Sequence, residues 1–149
     1  MKAVQPTKAE VAAKFAAGFH CANCSLCPWA EALGYDEEEL LRVSSAFGGG
    51  MFRGETCGAV TGSLMAIGLA LGGSDPEKLD LVVEKTGAFQ RAFEQRFGST
   101  ICQKLIGYNN GDPVEHQKAV ESGILMDLCP ELVCGAVEIL NGILAEEST

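Results

Sequence analysis

The chain has 149 residues, 47% of them hydrophobic, with seven cysteines and a formal charge of -9. That is ample apolar material for one buried core and too little length for two comfortable domains, so a single domain over residues 1–149 is expected. The acidity argues against nucleic acid, whose phosphates are held by clustered Lys and Arg, and against docking on anionic lipid.

Abundant Ala, Leu, Glu and Lys with little polar–apolar alternation predict an all-α chain, a multi-helix bundle of about six to eight helices around a central glycine-rich apolar helix. Thr7 and Glu10 form a capping box for a first helix that turns at Gly18. Asn23 is expected to cap a second, Cys24 to Leu33, which Pro28 fits only in the first turn or at a break. Asp36 caps Glu37 to Phe47, whose acidic first turn suits the helix dipole, and Gly48, Gly49 and Gly50 stop it. After a loop from Met51 to Glu55 comes the uncharged central helix, Cys57 to Leu71, shorter than the roughly 20 apolar residues of a membrane span. It reads as a core helix, and no membrane insertion is expected. Ser74, Asp75, Pro76 and Glu77 open a long amphipathic helix that ends at Gly98. Thr100 caps a short helix to Ile106, Tyr108 to Asp112 turn the chain, and Pro113 opens a helix to Ser122. Pro130 is expected in the first turn of a last helix ending near Ala145.

The N-terminus has no apolar h-region of a secretory signal, so a cytoplasmic location is expected, where thiols stay reduced and cysteines point to redox or metal chemistry. Cys57, Cys102 and Cys129 each fall at a predicted helix start, where unpaired backbone N–H groups and the helix dipole favour thiolate over thiol. Gly54, Gly58 and Gly62 surround Cys57 with residues lacking a side chain, open to a substrate or cofactor, a second helix or another sulfur. Cys21, Cys24 and Cys27 form a Cys-x-x-Cys-x-x-Cys run followed by Pro28, a spacing that lets thiolates share one metal or exchange a disulfide. A ferredoxin-type cluster needs a fourth cysteine, which Cys57, Cys102 or Cys129 could bring through the fold. The alternative cofactor is therefore an iron–sulfur cluster or zinc on Cys21, Cys24, Cys27, Cys57, Cys102 and Cys129. His20 is expected at a helix end and His116 in solvent, and the phenylalanines at 15, 19, 47, 52, 89, 93 and 97 in core packing. Phosphate-loop, dinucleotide and nucleophile-elbow patterns are missing.

The segment Gly54-Glu55-Thr56-Cys57-Gly58-Ala59-Val60-Thr61-Gly62, preceded by Phe47-Gly48-Gly49-Gly50-Met51, resembles the redox-active proteins of the C-GCAxxG-C-C family, marked by Cys-Gly-Ala-x-x-Gly and four spaced cysteines. The likeness runs from Val11 to Leu144. It implies that Cys24 is the family's first cysteine, Cys57 the second, Cys102 the third and Cys129, before Pro130-Glu131-Leu132-Val133, the fourth. Cys134 is then an extra, and Cys21, Cys27 and Pro28 depart from the pattern. The implied function is intracellular redox chemistry. The leading expectation is that Cys24, Cys57, Cys102 and Cys129 converge as catalytic thiols, with Cys57 the low-pKa thiolate and a second cysteine resolving it as a disulfide. A metal-binding protein and a structural domain with inert thiols are the competing readings. An unidentified redox partner protein and a homodimer are expected.

Overall fold

The computed structural model describes residues 1–147. Among them are eight α-helices of five residues or more and no strand, so the all-α expectation holds. Helix α1 spans Lys8–Ala16 and is capped as expected, the Thr7 hydroxyl accepting from Glu10 N–H at 3.1 Å. Helix α2, Cys21–Leu26, passes through a 3-10 turn, Cys27–Trp29, into the short α3, Ala30–Leu33. The second helix thus begins three residues before the expected Cys24, because His20 rather than Asn23 is its N-cap. Asn23 instead turns inward, its side-chain amide donating to Ser44 Oγ at 2.8 Å. Pro28 sits in the 3-10 turn, at the break foreseen for it.

Helix α4, Glu37–Ser44, is capped by Asp36 and runs into the 3-10 turn Ser45–Phe47. Helix α5 spans Gly58–Leu71, α6 Glu77–Phe97, α7 Cys102–Ile106, α8 Pro113–Ser122 and α9 Ile124–Ala145. Two starts depart from expectation: Ile101, not Thr100, is the N-cap of α7, with no side-chain cap, because Thr100 is held by its carbonyl in the bridge to Cys57, and α9 begins early. Helix α8 ends at Gly123 in a left-handed conformation, φ 81°, and that residue is also the N-cap of α9. Pro130 therefore lies inside the helix, not in its first turn, and Cys129 is not at a helix N-terminus. The segment Ile124–Leu128, apolar but for Asp127, holds helix despite the proline, whose cost of about 3 kcal/mol burial must offset.

Helix α5 is central, packing on α2, α6 and α9, with Ala59, Val60, Ala66 and Ile67 fully buried. Helix α9 is long and apolar enough by length and composition to cross a membrane, but Leu132, Val133, Ala136, Val137, Leu140 and Leu144 bury one side of it against α1, α2, α5 and α6. The chain start is tied to α9 as well: Asn141 Oδ1 accepts from Ala3 N–H at 2.8 Å and its amide donates to Ala3 O at 3.2 Å. Phe89, Phe93 and Phe97 stack along α6 in this core.

Candidate functional site: a cavity lined by cysteines

The Cys-Gly-Ala-x-x-Gly segment lays α2 directly on α5. A Cβ at Gly58 would stand 2.7 Å from Ala22 N and 2.9 Å from Cys21 Cβ, and one at Gly62 2.6 Å from Ala22 O and closer still to Ser25 Oγ. Only glycine permits that approach at both positions. The Ser25 hydroxyl then reaches across the interface to donate to Gly58 O at 3.1 Å. Of the three partners open to these glycines, the second helix takes Gly62, and Gly58 receives both that helix and Cys21. The space at Gly54 is taken by Asn109 and Gln103. At Gly62 and Gly54, then, protein atoms fill the gap that the cofactor reading required.

A second local device brings the two helix starts together. Thr56 and Ile101 form an isolated antiparallel bridge, in which Cys57 N–H donates to Thr100 O at 2.8 Å and Cys102 N–H to Glu55 O at 2.6 Å. Cys57 is thereby the N-cap of α5 and Cys102 the first residue of α7, as the sequence led us to expect. Cys129 reaches the same place from the side of α9. These three and Cys21 line one cavity of about 390 Å³.

The electrostatics distinguish the four thiols. Cys57 is pulled below the ordinary thiol range, first by a hydrogen bond from the Cys21 thiol and then by the Ala59 and Val60 N–H groups at the start of α5. At 2% exposure burial opposes that pull, and the donors win because they contact the sulfur directly at a helix start. Cys21 is held well above the ordinary range, through its hydrogen bonds with Cys129 and with Cys57, and then by burial. It is a protonated member of the group, a thiol beside two sulfurs. Burial, with Cys57 and Cys129 nearby, pushes Cys102 up to about 12.

Cys24, expected as the family's first cysteine, lies elsewhere. Three residues along α2 from Cys21, it is buried beside the α1 lysine, Lys14, and near Cys134, and lines a different, smaller cavity together with Cys27. Burial pushes Cys24 up to about 11 and Cys27 to about 12. Cys134 donates to Pro6 O at 3.4 Å. The six cysteines proposed as metal ligands are thus divided between two cavities. Among the described residues no group of three or more His, Cys, Asp or Glu side chains is placed to hold a metal ion.

Other residues of the cavity were not legible as such. His20 and His116 both line it. His20 Nε2 donates to Ser45 O at 3.0 Å, its ring stands edge-on to Phe52 at 6.1 Å, and burial lowers its pKa, keeping it neutral. His116, exposed as expected, hydrogen-bonds Asn110 Oδ1 through Nδ1 at 2.7 Å. Phe15, Phe19 and Phe52, expected in core packing, form part of the wall. Phe52 follows Gly49, Gly50 and Met51 in a run of positive φ, with Met51 at 60° and Phe52 at 54°. The signal for this left-handed turn is the triple glycine before it, which the sequence reading took only as a helix stop.

Sulfurs from α2, α5, α7 and α9 thus line one cavity of a helical protein, that of Cys57 at a helix start. Residues 19–143 match the family described as "Putative redox-active protein (C_GCAxxG_C_C)", and the chain belongs to that family. No curated protein and no solved structure matches it.

Proposed function

We propose that the protein is a dithiol–disulfide redox protein in which Cys57 is the nucleophile and Cys21 the resolving thiol. The observation that carries this reading is the meeting of Cys21, the first residue of α2, and Cys57, the N-cap of α5, in one cavity, where Cys21 and the first N–H groups of α5 lower the Cys57 pKa. The Cys57 thiolate attacks one sulfur of an external disulfide, forming a mixed disulfide and releasing one thiolate, which takes up a proton. Cys21, losing its proton, attacks Cys57 Sγ, closes the Cys57–Cys21 disulfide and releases the second thiol. Two electrons pass from the protein to the external disulfide, and an outside reductant returns them. Cys129, hydrogen-bonded to Cys21, is placed to exchange into that disulfide and carry the oxidation toward α9. A cytoplasmic setting, which keeps thiols reduced, suits a resting dithiol.

Stoichiometric oxidation followed by peptide mapping without reductant tests this. The expected product is a reversible Cys57–Cys21 bridge, lost in Cys57→Ser and Cys21→Ser and retained in Cys24→Ser. A bridge that depends on Cys24, or seven thiols that all resist mild oxidation, would overturn it.

A further inference from the structure

Resting on that reading, we infer that the cavity selects a small, uncharged, apolar disulfide as the oxidant of Cys57. None of its lining residues is Lys, Arg, Asp or Glu; besides the sulfurs and two histidines the wall is chiefly aromatic and aliphatic, with Phe15, Phe19, Leu105, Leu125 and Met126 among its members. An anionic disulfide such as oxidised glutathione would enter without a cation to receive its carboxylates, and would leave water to do so. The chain's net charge of -9 adds long-range repulsion. A disulfide on a folded protein meets a different obstacle: Cys57 is 2% exposed and Cys102 and Cys129 are each 7% exposed, so the reacting sulfur must come in to them. At about 390 Å³ the space suits a small molecule.

The wall itself points the same way. Met51 and Phe52 hold left-handed backbone that side chains disfavour, and the Phe52 carbonyl is pressed so close to Gly111 that no side chain fits there. The outcome of that strain is a phenylalanine ring 52% exposed beside the cavity. Strained backbone that presents an aromatic ring to an apolar cavity is what recognition of an apolar ligand requires.

Two aromatic disulfides on one bispyridyl skeleton and of different charge make the test: neutral 2,2′-dithiodipyridine and dianionic 6,6′-dithiodinicotinate, which adds only a carboxylate to each ring, each timed against the reduced protein and against free N-acetylcysteine. Normalised to the free thiol, the neutral probe should oxidise Cys57 at least about tenfold faster than the dianion, and denaturant should abolish the preference. Met126→Lys, at a rim position 48% exposed, should narrow the gap by accelerating the dianion, and Val120→Lys, 50% exposed on α8, should do the same. If the folded protein shows only the free thiol's ratio while the Cys57–Cys21 disulfide still forms, the selectivity is refuted and the dithiol reading stands. If no probe forms that disulfide, both fall.

Discussion

Replacing Gly62 by alanine tests whether the contact between α2 and α5 makes the site. The added methyl would lie 2.6 Å from Ala22 O, a backbone atom that cannot rotate away, so α2 must retreat by roughly 0.8 Å to restore an ordinary 3.4 Å contact. Overpacking of this kind costs about 1–3 kcal/mol. The methyl also displaces the Ser25 hydroxyl from Gly58 O, and a buried hydroxyl without its partner costs about 1–3 kcal/mol more. Against this stands the gain of about 1 kcal/mol from alanine over glycine inside a helix. The net expectation is a loss of about 3 kcal/mol. Gly68 is the internal control, since it lies in α5 with no atom near its missing side chain, and Gly68→Ala should be stabilising by about 1 kcal/mol. Urea unfolding of the reduced proteins measures both. The retreat also draws Cys21 from Cys57, so the Cys57 pKa, read from the pH dependence of alkylation, should rise in Gly62→Ala and stay unchanged in Gly68→Ala. Equal stabilities for the two variants, or an unmoved Cys57, would refute the idea that the motif's second glycine holds the thiol pair together.

Stability should also depend on pH with a definite sign. Cys24, pushed up to about 11, and Cys27 and Cys102, pushed up to about 12, keep their protons in the fold at pH values where the unfolded chain, with thiols near ~8.5, has lost them. The unfolded state then binds fewer protons, so the urea midpoint should fall as pH rises from about 8.5 toward 12, less steeply in Cys102→Ala; a flat or rising midpoint would contradict this. Cys57 acts in the opposite sense, its contribution being present above the unfolded thiol's pKa and lost as pH falls through its own lowered value. Met51→Gly should remove left-handed strain of about 1–2 kcal/mol while adding about 0.5–1 kcal/mol of unfolded-chain entropy, raising the thermal midpoint slightly; a lower midpoint would show that the Met51 side chain contributes more than its backbone costs.

What the sequence showed well was what local chemistry determines. Thr7 and Asp36 cap their helices with side chains, and the cap residues and the first-turn carboxylates are adjacent in the chain. The starts of α5 and α7 at Cys57 and Cys102 were legible although neither has a side-chain cap and Thr100 does not serve as one. The start of α9 was not, because proline's preference for a first turn competes there with the apolar residues Ile124, Leu125 and Leu128, which pack around the cavity and hold helix ahead of it. The exchange of Cys24 for Cys21 is a tertiary effect. Two glycines four residues apart announce a bare stripe on α5, but that the stripe receives Ala22, and so turns Cys21 toward Cys57, depends on how two separate helices dock. The third partner, Cys129, comes from a helix whose register no local pattern fixes.

The comparison between the two cavities shows why spacing outweighs the number of cysteines. Cys24 and Cys27 share a short helical run, face a cavity lined in part by Lys14, Glu10 and Glu37, and are both pushed up. Lys14 lowers each of them, but burial is the larger effect. Cys57 is more deeply buried than either, with no cation in its cavity wall, and is pulled down. The difference is donors: two N–H groups at the start of α5 and one thiol that α2 brings across the glycines. Short-range hydrogen bonds to the anion outweigh desolvation here where a nearby charge does not, because a point charge beside water is screened and a donor in contact is not. A thiolate formed that way needs no positive surroundings, which is why an acidic chain can hold one in an apolar cavity and why an uncharged reactant can meet it there.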